Sequence, residues 1–548
     1  MLKMPYWEVC KSLFNLSNNI IASSDGHFGK WTKWKYKRYF ESLDLLTMLF
    51  SSKLRVGLKE MQVTMQFHNV QEYDGNFQDY LAVEEIDNMI QYNVNDVDST
   101  EELLNRCKSD IDLRINIENE YKVNVLNKDG VNIGMEIIKQ KYLEKTKQSW
   151  NQIKDLRSPC DTINIKDVIL PFVKFETPSL QAFLEEFKQQ TVSPGRKGYE
   201  KHILVGDLEH VIGVGGLHSV NKPEIIIPGI DEVLIDADVA SLYPSMIIEH
   251  KFYPPHLGEA FLEVYTQIRT ERLEAKHNGN KVKDATLKLA LNGLSGNLQN
   301  ENSFCYSPFT VMQIRINGQL LLLMLIEQVL KIGGKLVQSN TDGIFILLKK
   351  NKLDEFKKVC SEWEKLTKLT LEADYFEGMY QFAINDYIAV KKGYSETKNP
   401  NLIKTKGMFI SEVKLGKGMA ATIIPEAIIK CLVDKIPIEE TIRNCKNIHK
   451  FITYQKVSRD YSVEYNGKLI SRINRFYFST DGPWLYKCKV DKDGVRNRYI
   501  KLNTKTGVTI MNKIEPNYEF PNNINYKYYI GEAQKIVSLL QQQQLSLF

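Results

Sequence analysis

Two stretches of the 548-residue sequence place acidic side chains where they could act on a bound ligand. The stretch EVLIDADV has the apolar pattern of a buried strand and ends in Asp236 and Asp238, which share one face because side chains alternate along a strand. The stretch SNTDGIF predicts a tight turn with Asp342 at its tip and Gly343 beside it, where backbone can approach a ligand closely. Taken singly, solvated acids at a strand end explain the first stretch equally well, and ordinary turn residues explain the second stretch better.

A third stretch, between the other two, could bind phosphate. Lys288 and Asn292 are one helical turn apart, and Arg272 and Lys276 have the same spacing on the preceding predicted helix. Gly293 in the middle of a helix suggests that another body approaches closely there. Cations on one face could neutralise the charge of a triphosphate, although two solvated amphipathic helices would show the same pattern.

The elements that must position these groups can be outlined from the pattern. Residues 85–155 read mainly as helices, residues 157–231 as short strands between turns, and residues 232–350 as alternating strands and helices. KLVQSNTDGIFILL predicts a β-hairpin. From about residue 415 we expect helices with a β-rich stretch near 461–510. The length exceeds a single core, so we predict an α/β (α+β) protein of several domains.

Composition is that of an ordinary globular protein, with 43% hydrophobic and 25% charged residues. The formal charge of +5, from 72 basic and 67 acidic residues, permits a nucleic-acid partner without requiring one. The eight cysteines contain no CxxC pair, which disfavours zinc knuckles and disulfide scaffolds. The longest strongly apolar run, Leu320 to Ile326, is too short to span a bilayer, so no membrane partner is predicted.

The order of the motifs is more specific than any one of them. D-x-x-S-L-Y-P-S at 238–245, K-x-x-x-N-G-x-x-G at 288–296 and N-T-D-G at 340–343 resemble the A, B and C motifs of the family B (α-like) DNA polymerases, of the kind carried by tailed bacteriophages. The resemblance implies a right-hand fold with palm, short two-helix fingers and thumb, preceded by a partial RNase H-like exonuclease domain. The implied activity is template-directed transfer of nucleotides from dNTPs to a primer 3′-hydroxyl, most simply as a phage replicase.

The resemblance also implies roles in the active site. Asp238, Asp342 and the backbone carbonyl of Val239 would hold two Mg²⁺ ions, with Mn²⁺ as an alternative. Tyr243 would lie beneath the incoming sugar and exclude a 2′-hydroxyl, and Lys288 would meet the triphosphate. The other nucleotide-binding residues would be Arg272, Lys276 and Asn292.

Three flanking stretches resemble elements that hold primer–template DNA in this family. They are GVGG at 213–216 for the template strand, KKGY at 391–394 for the primer end and KTKG at 404–407 at the palm–thumb junction. Such contacts would hold phosphates without reading sequence, and a scatter of surface lysines is the alternative. The implied DNA-binding residues are Gly215, Gly216, Lys391, Lys392, Tyr394, Lys404 and Lys406.

Some positions depart from the family pattern. The third motif begins with Asn340 where an acid is usual, but Asp342 holds the metal-binding place, so we expect activity to survive. Gly293 and Ser295 replace Ser and Tyr, which bears on how the new base pair is checked. For His218, near the template element, we expect a structural role.

The front of the chain matches only one of the three exonuclease motifs. YNVND, from Tyr92 to Asp96, fits the third motif, and the first two are missing. A second polypeptide could carry them if the polymerase is split or truncated; otherwise proofreading has been lost. In either case we expect no proofreading from this chain alone.

Domain limits follow from the resemblance and the pattern together. We expect an incomplete exonuclease-like part at 1–112, a connector into the palm at 113–228, palm with motif A at 229–262, fingers at 263–305, palm with motif C at 306–402, thumb at 403–536, and a flexible tail at 537–548.

The last five residues, QLSLF, resemble the peptide by which bacterial polymerases grip the sliding clamp. Gln544, Leu545, Leu547 and Phe548 would bind the clamp, which implies a bacterial host cytoplasm; a Gln-rich terminus with chance apolar residues is the alternative.

The alternative to an active polymerase is a non-catalytic, DNA-binding relic of a polymerase. Retention of both Asp238 and Asp342 favours the enzyme.

Overall fold

The structure, a computed structural model, describes residues 5–22, 42–50, 56–73, 81–194, 198–411, 415, 421–458, 460–491, 494–502 and 506–545. Helices and strands alternate over much of the chain. The α-helices are α1 (Tyr6–Ala22), α2 (Leu45–Leu49), α3 (Leu58–Thr64), α4 (Ile86–Arg106), α5 (Lys108–Tyr121), α6 (Gly130–Thr146), α7 (Trp150–Ile153), α8 (Ile165–Val168), α9 (Pro178–Lys188), α10 (Leu242–Glu249), α11 (Gly258–His277), α12 (Lys281–Asn297), α13 (Pro308–Lys331), α14 (Leu353–Thr367), α15 (Tyr394–Thr397), α16 (Ile423–Asp434), α17 (Ile438–Asn444) and α18 (Tyr526–Leu545).

The strands complete the mixed α/β architecture that the sequence predicts. They are β1 (Ile163–Asn164), β2 (Thr191–Val192), β3 (Glu200–Val205), β4 (Leu208–Gly213), β5 (His218–Ser219), β6 (Glu224–Ile226), β7 (Glu232–Val239), β8 (Lys335–Ser339), β9 (Gly343–Lys349), β10 (Leu371–Ala383), β11 (Asp386–Lys391), β12 (Ile403–Lys406), β13 (Thr453–Lys456), β14 (Ser462–Tyr465), β15 (Lys468–Ile470), β16 (Ile473–Phe478), β17 (Leu485–Val490), β18 (Arg496–Leu502) and β19 (Val508–Ile510).

A seven-stranded antiparallel sheet forms the centre of the molecule. Its order is β12-β11-β10-β7-β9-β8, and β6 pairs with β10 off that path. The predicted strand EVLIDADV is β7, and the predicted hairpin is β8 and β9; both predictions are confirmed. Because β7 lies between β9 and β10, the acids at its end have neighbours on both sides.

The long helix α13 forms the core beneath this sheet. Its apolar run from Leu320 to Ile326 is fully or almost fully buried, and it packs among residues of the largest hydrophobic cluster. By length and composition α13 passes the test for a membrane span among the described residues, but 83% of its apolar window is buried inside the protein. Such burial is typical of a core helix.

Helices α11 and α12 form the predicted pair of helices, joined at Gly279, whose φ of +69° suits glycine. Helix α6 packs very closely against α12: a Cβ added at Gly134 would lie 2.4 Å from the carbonyl oxygen of Leu289, and one at Gly293 would lie 3.0 Å from that of Val131. The close approach predicted at Gly293 is therefore made by α6. This helix belongs with α11 and α12 by packing, although the sequence placed it in a connector.

The C-terminal region contains two further sheets, β13-β16-β19 and β15-β14-β17-β18. Residues 56–73 pack against the first of them. The fully buried Arg475 donates to the carbonyls of Phe67, His68 and Asn512, and the amide of Val70 donates to Asn512. The front of the chain is thus fixed to its far end.

Helix α18 corrects one prediction about the tail. We expected flexibility from residue 537, but α18 continues to Leu545, and Val537 and Leu540 are buried in the C-terminal core. The apolar spacing of these residues continues the helix face that begins near Tyr529 and Ala533.

Candidate active site

Strand register brings the two predicted catalytic acids together. Asp238 on β7 is the direct partner of Gly343 on β9, and the amide of Val239 donates to the carbonyl oxygen of Asp342 at 2.7 Å. A Cβ at Gly343 would lie 1.8 Å from Oδ1 of Asp238, so any larger residue there would displace this carboxylate from its present position. Asp238 and Asp342, 104 positions apart in sequence, therefore lie close together, one near the end of β7 and the other in the turn before β9.

The turn that carries Asp342 is shaped by Asn340. The side-chain oxygen of Asn340 accepts hydrogen bonds from the amides of Asp342 at 3.0 Å and Gly343 at 3.1 Å. An Asn side chain readily forms such turns. The departure at the first position of the third motif thus has a local structural role, and the exposed Asp342 carboxylate remains at the tip.

Further acids surround this pair. Across β7 and β10, Asp236 faces Asp374 and Asp238 faces Glu372. Asp236 is buried, and Lys404 binds it at 2.9 Å. Burial and then the charge of Asp238 raise the pKa of Asp236 to about 6. The sequence analysis did not single out Glu372 or Asp374, whose only signal was alternation with apolar residues in LEADYFEG.

Burial and neighbouring charges together shape the electrostatics of the predicted metal ligands. Burial raises the pKa of Asp238, and the nearby Asp342 and Asp374 charges raise it further against the opposing effect of Lys404. Neither Asp238 nor Asp342 forms an ion pair within the described residues, because Lys404 binds Asp236. A divalent cation would relieve this repulsion, and carboxylate oxygens are the donors that Mg²⁺ prefers.

The protein supplies no closed cage for a metal at this place. Among the described residues, no group of three or more His, Cys, Asp or Glu side chains is arranged to hold an ion. Mg²⁺ commonly keeps several waters and binds through one or two carboxylates plus substrate phosphates. Asp238 and Asp342 fit that mode, and the predicted use of the Val239 carbonyl stays a prediction.

Tyr243 lies on α10, which begins directly after β7. The chain reverses at Ser241, whose φ of 50° is left-handed, and Oγ of Ser245 donates to the carbonyl of Ala240 at 3.0 Å. This turn directs the half-buried Tyr243 back toward the acids. Burial raises the pKa of Tyr243, and among the charges that act on its hydroxyl are those of Arg315 and Asp342.

The sequence analysis missed Arg315. It lies on α13 between the buried Ile314 and Ile316, and the charge acting on its guanidinium comes from Tyr243. Burial lowers the pKa of Arg315. Within the described residues it makes no side-chain hydrogen bond or ion pair, whereas the buried Arg475 donates to backbone carbonyls. A partly buried, unpartnered guanidinium beside Tyr243 could bind an anion.

The predicted phosphate-binding face is only partly available. Lys288 and Asn292 are exposed on α12, and Lys276 is exposed on α11. Arg272 instead pairs with Asp284 at 2.9 Å, and its side chain is 15% exposed. Helix α10, which carries Tyr243, packs against both α11 and α12. The pair Arg272–Asp284 joins these two helices.

The region of the predicted template element contacts the hairpin that carries Asp342. Gly216 has a φ of 154°, and a Cβ there would lie 3.3 Å from His218 and 3.5 Å from Oγ1 of Thr341. Nε2 of His218 is 3.4 Å from the same Thr341 oxygen, and the amide of Ser339 donates to Oγ of Ser219 at 2.9 Å. These contacts agree with the structural role expected for His218. Gly215 faces open space.

The predicted primer-binding residues divide into two groups. Lys392 is exposed, Lys406 is half-buried, and Lys391 pairs with the partly exposed Asp374 at 2.6 Å. Two placements differ from the prediction. Tyr394 is buried and donates to Asp434, so its side chain offers no surface to DNA. Lys404 binds Asp236 within the acidic site, where the carboxylate attracts its ammonium more strongly than solvent does.

In the predicted exonuclease remnant, the positive charge beside Asp96 is a lysine side chain of the protein. Tyr92 and Asp96 lie one turn apart on α4, and the nearly buried Lys59 of α3 forms an ion pair with Asp96 and lies 4.4 Å from the Tyr92 ring centre. Nε2 of Gln62 is 3.3 Å from the same carboxylate oxygen. Burial, together with the Asp96 charge, raises the pKa of Tyr92 to about 12. The sequence analysis did not foresee Lys59.

The predicted clamp-binding peptide is only partly described. Gln544 and Leu545 lie in the last turn of α18. Leu547 and Phe548 lie outside the described residues.

Comparisons with known proteins give a distant likeness. No protein-family model matches the chain, and no curated protein matches it. Among solved structures it is similar to the family B DNA polymerase of the hyperthermophilic archaeon Pyrobaculum calidifontis, at 12% identity and a TM-score of 0.41, over 84% of this chain and 56% of that one. The chain therefore spans just over half the length of that polymerase. At this distance the function must be argued from the site itself.

Proposed function

We propose that the protein is a template-directed DNA polymerase that adds dNTPs to a primer 3′-hydroxyl. The proposal rests on one observation above all: the register of β7 and β9 sets Asp238 and Asp342, from two separate motifs, beside each other at the end of a buried strand. A non-catalytic relic would have no use for two adjacent carboxylates without a cation. The rigid glycine contact between them supports the same assignment.

Each part of the site has a role in this reaction. Asp238 and Asp342 would hold two Mg²⁺ ions, or Mn²⁺, which when bound would stabilise the charge on the attacking and leaving oxygens. Tyr243 would limit the space at the sugar 2′ position. Lys288 and Lys276, both exposed, would bind the triphosphate, and Asn292 would lie beside the new base pair. Arg272 would act indirectly, by holding α11 to α12 through Asp284.

Primer–template DNA would be held mainly through its phosphates. Lys391, Lys392 and Lys406 would contact the primer side, and the Gly215–Gly216 loop would guide the template strand. The contact of His218, two residues after this loop, with Thr341 supports a direct link between template position and the Asp342 turn. In this reading the central sheet is the palm, α11 and α12 the fingers, and the region after residue 403 the thumb.

We further propose a phage replicase that works in a bacterial cytoplasm with the host's sliding clamp. The support is the terminal sequence QLSLF, whose Leu545, Leu547 and Phe548 could enter an apolar pocket while Gln544 binds at its edge. Removal of the last five residues should leave short extension intact and abolish clamp-stimulated long products. Equal stimulation of both chains would contradict the clamp proposal and leave the polymerase proposal untouched.

The ion pair of Lys59 with Asp96 supports the absence of proofreading from this chain alone. A second polypeptide with the missing exonuclease motifs would have to displace that lysine to build a metal site.

Primer extension tests the central proposal. The full chain, a labelled primer annealed to a longer template, dNTPs and Mg²⁺ should give products of template-defined length and sequence. The matched control is the Asp238→Asn variant, which keeps the shape of the side chain. Failure of the wild-type chain to extend in either Mg²⁺ or Mn²⁺, while it still binds the DNA, would favour the DNA-binding relic.

A further inference from the structure

The sheet β15-β14-β17-β18 has one face that the fold does not use. Val463 and Leu485 point into the C-terminal core, and Tyr465 donates to the carbonyl of Val508. Strand alternation places the neighbouring residues on the opposite side. This outer face carries Trp484, Tyr486, Arg496, Tyr499 and Lys501 together with Glu464 and Leu469.

Aromatic and basic side chains interleave on the outer face. Tyr486 and Lys501 are direct cross-strand partners, and the Lys501 ammonium lies over the Trp484 ring. The rings of Tyr486 and Tyr499 meet edge to face at 6.2 Å. Tyr499 is 49% exposed, and its hydroxyl donates to Glu464 at 2.9 Å, which holds the ring in place. The face is therefore an ordered platform of rings with cations between them.

The stretch of chain that carries this platform has an excess of positive charge, although only part of that charge lies on the outer face. Residues 461–502 contain nine Lys or Arg and four Asp or Glu. Within the described part of the sheet, the ion pair is Arg496 with Glu464, at 3.0 Å. Lys501, on the outer face, forms no ion pair with any described residue. Lys468 and Lys487 pair across the strands with Tyr465 and Val463 and therefore lie on the opposite face, where Lys487 and Lys489 lie over the Tyr461 ring at 4.9 and 5.3 Å. This excess complements a polyanion.

We propose that the outer face binds single-stranded DNA, at a site separate from the acids of the central sheet. Exposed rings on a sheet can stack with bases, and only an unpaired strand presents the faces of its bases. The Lys501 ammonium, between the rings, would contact a phosphate of the same strand. A duplex would meet Lys501 but leave the rings unused, and an apolar protein partner would leave Lys501 unpaired.

The proposed single-strand site is independent of the proposed polymerase activity. Its test needs a probe whose binding does not depend on the acidic site. A fluorescein-labelled oligothymidylate is titrated against the full chain by anisotropy, with a saturating unlabelled hairpin primer–template present throughout. We expect binding to persist under this competition. Complete displacement of the oligothymidylate by the hairpin would overturn a separate site.

Two substitutions locate the contact. Tyr499→Ala should weaken oligothymidylate binding by about tenfold, since stacking on one ring is worth about 1–3 kcal/mol per base. Tyr499→Phe should keep wild-type affinity, because the ring rather than the hydroxyl binds. Equal losses in both variants would show that binding needs the hydroxyl and its hydrogen bond to Glu464 rather than the ring, and would overturn the stacking role.

Salt dependence tests the charge. Lys501→Gln should make the slope of log K against log salt shallower by about 0.7, the value for one phosphate of a single strand. The matched control is Lys357→Gln on α14, which should leave the slope unchanged. All variants should melt at the wild-type temperature and extend a short primer as the wild type does. An unchanged slope in Lys501→Gln would contradict the proposal, whereas loss of extension by the wild type would contradict only the polymerase.

Discussion

The site around Asp238 and the site around Asp96 both combine aspartate with a nearby tyrosine, but they differ in how the negative charge is balanced. At the front of the chain, the ammonium of Lys59 contacts both the Asp96 carboxylate and the Tyr92 ring. At the central sheet, Asp238 and Asp342 stand side by side, and burial together with the Asp342 charge raises the pKa of Asp238. In the Asp96 site the lysine balances the charge of the carboxylate. In the Asp238 site the two carboxylates need a cation from outside the chain to balance their charge.

This difference separates a structural role from a functional one. A chain gains stability when it pairs a buried charge and loses stability when it leaves like charges adjacent, so unpaired charges are retained where a ligand uses them. Lys404 makes the contrast sharper, because it binds Asp236 and leaves Asp238 and Asp342 without an ion pair among the described residues. Four substitutions test the comparison, beginning with the largest expected effect.

Asp342→Ala should lower primer extension by at least about 10³-fold, because it removes one of two groups that act as a unit. Primer–template affinity should change little, since phosphate contacts dominate binding. Single-turnover extension and anisotropy measure the two quantities. The control is Asp96→Ala, which should leave extension unchanged. Extension by the Asp342 variant within tenfold of wild type would refute the assignment of the two carboxylates.

Tyr243→Ala should raise ribonucleotide incorporation relative to deoxyribonucleotides by about tenfold or more, because space for a 2′-hydroxyl opens beside the acids. Single-turnover rates with matched dNTP and rNTP pairs give the ratio. Tyr92→Ala, at the other tyrosine–aspartate pair, should leave it unaltered. If the ratio is the same in the Tyr243 variant and the wild type, this tyrosine does not select the sugar.

Lys59→Met should reduce the free energy of unfolding of the region that includes α3 and α4 by about 1–3 kcal/mol, because it leaves Asp96 without its cation. The expected loss of unfolding free energy is at the low end for a buried ion pair, because the Asp96 side chain is 24% exposed. Hydrogen exchange of α3 and α4 measures the change. Lys59→Met combined with Asp96→Asn should recover most of it.

The same pair predicts that the wild-type chain does not shorten a 3′-mismatched primer when dNTPs are withheld. Shortening that disappears in Asp96→Ala would show that this site is a working nuclease and that the comparison between the two sites is wrong.

The fold near the acids could be predicted from sequence because local signals agree there. The apolar run before Asp236 predicts β7, and the Asn-Thr-Asp-Gly turn predicts the hairpin of β8 and β9. The order of three motifs then pointed to Asp238 and Asp342 as partners. The pattern could not predict the register of β7 against β9. That register leaves the Asp238 carboxylate beside Gly343, where the lack of a side chain makes room for it.

The misplaced residues share a physical reason: a side chain's partner can lie far away in sequence. Lys404 reads as a surface lysine, yet it meets Asp236, 168 positions away. Tyr394 reads as part of a DNA-binding element, yet its hydroxyl meets Asp434 from a helix that packs over it. Arg315 is the opposite case. A lone arginine in the apolar run of α13 would be expected to form an ion pair, but none of the described residues pairs with it.

Arg315→Gln is the smallest of the four expected effects and the most direct test of the role of unpaired charge. Because Arg315 is partly buried without a partner, its removal should leave the free energy of unfolding unchanged or slightly higher. If its guanidinium binds a phosphate of the substrate, affinity should fall by about tenfold, close to the contribution of one charge-assisted contact. A higher KM for dNTP with unchanged primer–template affinity would assign the contact to the nucleotide, and the reverse would assign it to a strand. Arg269→Gln, which breaks a surface pair with Glu249 on α10, is the matched control and should change neither quantity. A loss of stability in Arg315→Gln with both affinities intact would show that the central site also uses its charges for structure, and the contrast with Lys59 would fail.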